Sequence, residues 1–149
     1  MTGGAVTALG ASPHLIVTPD CTKSLTSGLT CFGKAAGLAN EPAAVFLTAA
    51  SVTATYECHN KGGNIAPGQP VVTQNVTGPT QTIEPHNGQI TFSATIPVPT
   101  PPSAAVECPN GNWTVVLTTL VYTDVVLHIQ DSSTPAVDIL TFNFGTIDP

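Results

Sequence analysis

Glu57-Cys58-His59-Asn60 and Glu107-Cys108-Pro109-Asn110 repeat one short pattern, Glu-Cys-x-Asn with a glycine close behind. Three chemistries could use it. Cys58, His59 and Cys108, with His86 or His14 as a fourth ligand, carry the donor atoms of a zinc site. Structural zinc sites, however, draw on ligand pairs a few residues apart, and the chain has no C-x-x-C and no H-x-x-x-H. His14, His86 and His128 stand alone and read as surface or strand residues. Glu57 and Glu107, drawn together by their neighbouring cysteines, could form a glycosidase-like carboxylate pair, with Asp124, Asp131 and Asp138 as the other candidate acids. Acids beside a covalent bridge are normally solvated. Serine catalysis has no G-x-S-x-G and no serine in a strand–turn–helix setting. No catalytic residue, metal or cofactor is therefore expected.

The third chemistry is oxidation of the cysteines themselves. Cys58 and Cys108 each adjoin a run of turn residues, His59-Asn60-Lys61-Gly62-Gly63 and Pro109-Asn110-Gly111-Asn112, where strand ends can be tied together. Cys21 and Cys31 flank a nine-residue polar loop, TKSLTSGLT. Four cysteines allow three pairings; 21–31 with 58–108 is the preferred one. By chain entropy the long bridge would contribute on the order of 4 kcal/mol and the short one somewhat under 3.

The elements that position these residues are strands. The chain is rich in Thr, Val, Ala, Gly and Pro and poor in good helix formers. Its fourteen prolines and thirteen glycines punctuate it at short intervals. The expectation is an all-β, antiparallel β-sandwich, immunoglobulin-like or jelly-roll-like, with at most one short helical turn near 31–40. Residues 1–20 read as an N-terminal arm or first strand, and 21–149 as a single sandwich domain.

In NGQITFSATIP, Ile90, Phe92, Ala94 and Ile96 share one face, which predicts a half-buried strand. Asn87-Gly88 before it suits a two-residue hairpin turn from a partner strand in 79–85. In AVFLTAASVTATYEC the even positions Phe46, Ala50, Val52, Ala54, Tyr56 and Cys58 read as apolar, with a break near Ala49-Ala50. In WTVVLTTLVYTDVVLHI the odd positions Trp113, Val115, Leu117, Val121, Val125, Leu127 and Ile129 read as core. A straight strand of that length would run roughly 56 Å, so a bend near Thr123-Asp124, carrying the chain from one sheet to the other, is expected. Residues 136–144 read as the final strand. On this phasing Trp113 and Tyr56 pack inside and Tyr122 faces out, the one aromatic available to touch a ligand.

Charge sets the partner classes. Charged residues are 8% of the chain, net charge is −6, and arginine is absent. Nucleic acid and anionic lipid demand a basic footprint, and neither is expected. No run of eighteen apolar residues exists, so no membrane span is expected. MTGGAVTALGAS has neither a basic start nor an apolar stretch of the right length for a signal peptide; the chain is expected to be secreted or at the cell surface, its leader removed. The sequons Asn75-Val76-Thr77 and Asn112-Trp113-Thr114 matter where a source glycosylates its proteins.

ATYECHNKGGN, HNGQITFS, VECPNG and LVYTDVVLHI together resemble a group of small secreted proteins, mainly actinobacterial, of unassigned activity. The resemblance spans roughly residues 50–130. It implies an exported, disulfide-bonded β domain and supplies no catalytic residues.

The functional expectation is a non-enzymatic extracellular structural or interaction protein, self-assembling into filaments or a surface layer, with a second copy or another surface protein as partner. Residues 2–20 carry no charge before Asp20, and the arm would add a strand to a neighbouring subunit, with Val6, Leu9, Leu15 and Val17 filling pockets. The alternative is a secreted carbohydrate-binding sandwich with a polysaccharide ligand.

Overall fold

The computed structural model describes residues 13–38, 41–67, 70–99, 108–109, 112–131 and 137–147. They form nine strands: β1 (His14–Ser24), β2 (Gly28–Ala36), β3 (Ala43–His59), β4 (Ile65–Pro67), β5 (Val71–Thr77), β6 (Gln81–Ile83), β7 (Ile90–Ile96), β8 (Thr114–Gln130) and β9 (Asp138–Ile147). All pairings are antiparallel. A smaller sheet runs β1-β2-β7. In the larger, β3 pairs with β8 along its length, β8 pairs with β9, and the other side of β3 is lined successively by β6, β5 and β4. The two sheets enclose one apolar core, so the fold is an antiparallel β-sandwich.

The smaller sheet follows from its alternation. Ile90, Phe92, Ala94 and Ile96 are all buried, and the polar residues between them face out. Each such side chain taken from water contributes roughly 1.5–3 kcal/mol. Phe92 lies over Gly33 of the neighbouring strand, where an added Cβ would stand 2.6 Å from the ring. Only glycine leaves room for it. The β1–β2 turn is closed by the Ser24 hydroxyl, which accepts from the N–H groups of Thr26 (3.1 Å) and Ser27 (3.3 Å). Cys21 and Cys31 stand opposite each other in register, Cα atoms 4.0 Å apart, and are bonded. Cys58 and Cys108 form the second disulfide, Cα atoms 5.6 Å apart. Both pairings are the preferred ones. The helical turn allowed near 31–40 gives way to strand through Ala36, because β2 has a partner on each side and alternately buries Cys31, Gly33 and Ala35.

The long strands depart from the sequence reading in an instructive way. In β3 the buried residues are odd before the midpoint (Ala43, Val45, Leu47, Ala49) and even after it (Val52, Ala54, Tyr56, Cys58). In β8 they are even first (Leu120, Tyr122) and odd afterwards (Val125, Leu127, Ile129). The reversals coincide. Asn75 in β5 (φ 51°), Asp124 in β8 (φ 51°) and Gly145 in β9 (φ 73°) take left-handed backbone conformations. The β3 register skips Ala50 between Ala49↔Val76 and Ser51↔Gln74, and skips Ala49 and Ala50 between Thr48↔Val126 and Ser51↔Thr123. These irregularities form a crease across four neighbouring strands, and each left-handed residue turns the pleat so that the face changes parity. Asn and Asp are the non-glycine residues that best tolerate this conformation.

Four expectations are corrected by the crease. Phe46 and Ala50 lie off the core face, and Val115 is 41% exposed. Tyr122 is fully buried instead of facing out, its Oη donating to the Ile96 carbonyl at 3.4 Å across the sandwich. The break in β8 does not carry the chain into the other sheet; β8 pairs with β3 on both sides of it. A fifth correction concerns the Asn87-Gly88 turn. It forms as expected, with both residues at positive φ and reciprocal His86–Gln89 backbone bonds of 2.9 and 3.0 Å. Its flanking strands diverge, however: β6 pairs with β3 and β7 with β2. The Gln81 side chain still reaches across, its Oε1 accepting from Ser93 N–H at 3.1 Å.

Candidate functional site

One linked chain of side chains lies on the outer face of the larger sheet, on the β6 side of the crease. His128 in β8 stands beside Phe46 in β3, and their rings stack with centroids 4.9 Å apart and planes 10° from parallel. The His128 Nδ1 lies 3.1 Å from Asp138 Oδ2 in β9, and its Nε2 lies 2.9 Å from Thr48 Oγ1 in β3. Gln130 donates through Nε2 to the other carboxylate oxygen, Asp138 Oδ1, at 3.0 Å. Burial is the largest influence on the Asp138 pKa and raises it, but the hydrogen bonds from Gln130 and His128 and the charge of the imidazole together outweigh it and hold the carboxyl below its ordinary value.

The proton positions follow. An ionised carboxylate only accepts, so His128 Nδ1 carries a hydrogen; in the neutral ring Nε2 is then the acceptor, and Thr48 donates its hydroxyl proton to it. The order hydroxyl–imidazole–carboxylate is that of a nucleophile, a base and the group that orients the base. An open concavity of about 280 Å³, lined by Thr48, Ala49 and Ala50 of β3 and Asn75, Val76 and Thr77 of β5, lies at the crease.

None of this was read from the sequence. Thr48 and His128 are 80 residues apart, and His128 has no partner at any motif spacing. The one usable signal was that β8 and β9 are consecutive strands, whose antiparallel pairing brings Asp138 back toward His128.

At the opposite end of the same ribbon, Glu57 and His59 lie two residues apart on the outer face and bond at 3.0 Å, Glu57 Oε1 to His59 Nε2, both about two-fifths exposed. Between them Cys58 points inward and is fully buried. Asn60 organises the following turn, its Oδ1 accepting from the N–H groups of Gly62 (3.0 Å) and Asn64 (2.9 Å). Trp113 is half-buried and borders an open concavity of about 450 Å³ with Asn60, Lys61, Gly62 and Asn112. With both sulfurs in a disulfide, Cys58 and Cys108 are not available as zinc ligands, and no three His, Cys, Asp or Glu side chains converge as a metal site among the described residues. Glu107 lies outside the described residues, so the carboxylate pair with Glu57 is not addressed. Asp124 sits exposed at the crease.

Of the arm residues, Leu15 and Val17 belong to β1, where they register with Ala35 and Lys34 of the same chain; Val17 is 48% exposed. Val6 and Leu9 lie outside the described residues. No family model, curated relative or solved structure matches the chain, and the resemblance to secreted actinobacterial proteins rests on its short motifs.

Proposed function

We propose that the protein is a structural or interaction subunit of an extracellular or cell-surface assembly, joined to its neighbours by strand addition at β9. The observation that carries this reading is the open side of β9. Asp138–Ile147 pairs with β8 on one side, and no described strand occupies the other. The strand has no proline, and its single charge, Asp138, is already engaged by His128 and Gln130. Gly145 disturbs its far end and a register shift at Ile139 its near one, which leaves Leu140–Asn143 as a regular, uncharged edge of the kind that pairs with another chain.

The occupant is the N-terminal arm of a second copy. Residues 2–12 precede the first described residue, carry no charge and include Val6 and Leu9. Eleven residues extended reach roughly 35–40 Å, ample to lie along that edge. Leu15 and Val17 act within β1 instead. A head-to-tail contact of this type need not close, so filaments are its natural product. Two disulfides are typical of oxidising, extracellular compartments.

Light scattering tests the reading. The full chain should form large species at high concentration, and both deletion of residues 2–12 and Thr141→Lys on β9 should return it to monomer. A monomeric full chain, or assemblies unchanged by either alteration, would refute it.

Trp113 favours a second reading, a carbohydrate-binding module. A half-buried indole flanked by Asn60, Asn112 and Lys61 offers a stacking surface with hydrogen-bonding groups beside it. Retardation on polysaccharide gels that Trp113→Ala abolishes would support it; equal mobility would not.

A further inference from the structure

We infer that Thr48 is a nucleophile that takes acyl groups from small activated carboxylic esters, with His128 as its base and Asp138 as the residue that positions the base. The inference is independent of assembly, because it concerns the outer face of β3 and β8 and not the free edge of β9.

Three observations carry it. The first is direction: the Asp138 carboxylate fixes the hydrogen on Nδ1, so the lone pair at Nε2 points at Thr48 Oγ1, 2.9 Å away. The second is rigidity. The imidazole is clamped between Phe46, stacked on its face, and Asp138, which is itself held by Gln130. A base so held is already oriented for proton transfer. The third is space. A concavity of about 280 Å³ borders Thr48 at the crease, and the exposed Ala50 in its lining is small enough to leave room for a short acyl chain. A network whose whole role was to stitch three strands together would need neither the cavity nor the crease beside it.

The step balances as an ordinary acyl transfer. Thr48 Oγ1 attacks the carbonyl carbon while His128 Nε2 takes the hydroxyl proton. The tetrahedral intermediate then collapses, the acyl C–O bond to the leaving group breaks, and that group departs as an alkoxide or phenoxide that the imidazolium can protonate.

The probe is p-nitrophenyl acetate, applied to the full chain at pH 8 and followed by peptide mapping. All four cysteines are in disulfides, so the competing nucleophiles are chiefly Lys23, Lys34, Lys61, the terminal amine and the imidazoles of His14, His59 and His86. After reduction of the Cys58–Cys108 bridge, cleavage after Lys34 and Lys61 isolates residues 35–61, which contain Thr48. An acetyl group on Thr48 is expected. Thr48→Ala should remove it and Thr48→Ser should retain it. His128→Gln should slow its formation by roughly a hundredfold or more, the ordinary contribution of a general base. Asp138→Asn, acting through the tautomer of His128, should slow it by roughly tenfold or more and change the pH profile, which a merely structural role would leave alone. Circular dichroism of each variant shows that the fold persists; Thr48→Ser keeps the test valid if Thr48→Ala does not fold. Acetylation confined to the amines, or equal labelling of Thr48 in wild type and His128→Gln, would overturn the inference.

Discussion

The β3–β8 ribbon is two structures joined at the crease. On the β6 side, Ala43–Ala49 and Val125–Gln130 bury small and aliphatic side chains inward and carry the Thr48–His128–Asp138 chain outward. On the β4 side, Val52–His59 and Thr114–Tyr122 bury two tyrosines and Cys58, and the covalent bridge to Cys108 holds that end. One half is secured by aliphatic packing and a polar network, the other by aromatic packing and a disulfide. The difference shows how one strand can present different surfaces at its two ends: a left-handed Asp124 in β8, or a residue skipped in the register at Ala49–Ala50 in β3, exchanges its faces.

The largest effect should come from the bridged half. Replacing Cys58 and Cys108 together with alanine should cost about 2–5 kcal/mol, the usual loss for a native disulfide, read as a lower denaturant midpoint. If the loss were smaller than for the Cys21–Cys31 bridge, the long bridge would not be what secures that end.

At the crease itself, Asp124→Val should cost about 1–2 kcal/mol, because a β-branched residue resists the left-handed region. Asp124→Gly should leave stability equal or slightly higher. If valine were tolerated as well as glycine, the parity change would not depend on that backbone conformation.

The two tyrosines sharpen the contrast within the bridged half. Burial raises the pKa of both phenols. Tyr122 Oη reaches the Ile96 carbonyl, and Tyr56 Oη has no hydrogen-bond partner among the described residues. Tyr122→Phe should therefore cost about 0.5–1.5 kcal/mol, and Tyr56→Phe should be neutral or slightly stabilising. Equal losses would mean that the Tyr122 hydrogen bond contributes nothing.

The smallest effect belongs to the other half. A carboxyl whose folded pKa is depressed adds stability that is present above its unfolded pKa, near 3.9, and disappears as pH falls through the folded value. Asp138 is of this kind. Its contribution is discounted by solvent, since the side chain is 38% exposed, and should be a few tenths of a kcal/mol. Asp138→Asn should therefore be slightly less stable than wild type at pH 6, with the two converging well below pH 4. A constant difference across that range would show that the charge of Asp138 is irrelevant.

The legible parts of this fold are those where alternation runs unbroken. Ile90–Ile96 stays in one phase from end to end, and both its strand and its buried face could be read directly. The cysteine pairs could be read because Cys21 and Cys31 are close enough in sequence to meet across one hairpin, and Cys58 lies at a strand end beside turn residues. The long strands could not be phased, because Asp124 and Ala49–Ala50 reverse the alternation mid-strand and nothing in local residue type forces that reversal. Tyr122 was misplaced for this reason alone. The Asn87-Gly88 turn was read correctly and its sheet partners were not, since turn chemistry fixes the local path and leaves open which sheet each flank joins. The Thr48–His128–Asp138 chain is long-range on one side, set by the register of β3 against β8, and that register has no local signature.

The Cys58–Cys108 bridge also sets how far the molecule can stretch. It closes a loop with a sequence separation of 50 that contains β4 through β7. Pulled by its ends, the chain can surrender β1 to β3 and β8 to β9, but the enclosed segment stays outside the line of force. At 3.3–3.6 Å per residue that withholds roughly 170 Å of contour length. In a filament under tension, each oxidised subunit would reach its stop early and hold four of its nine described strands in reserve; reduction would release that slack.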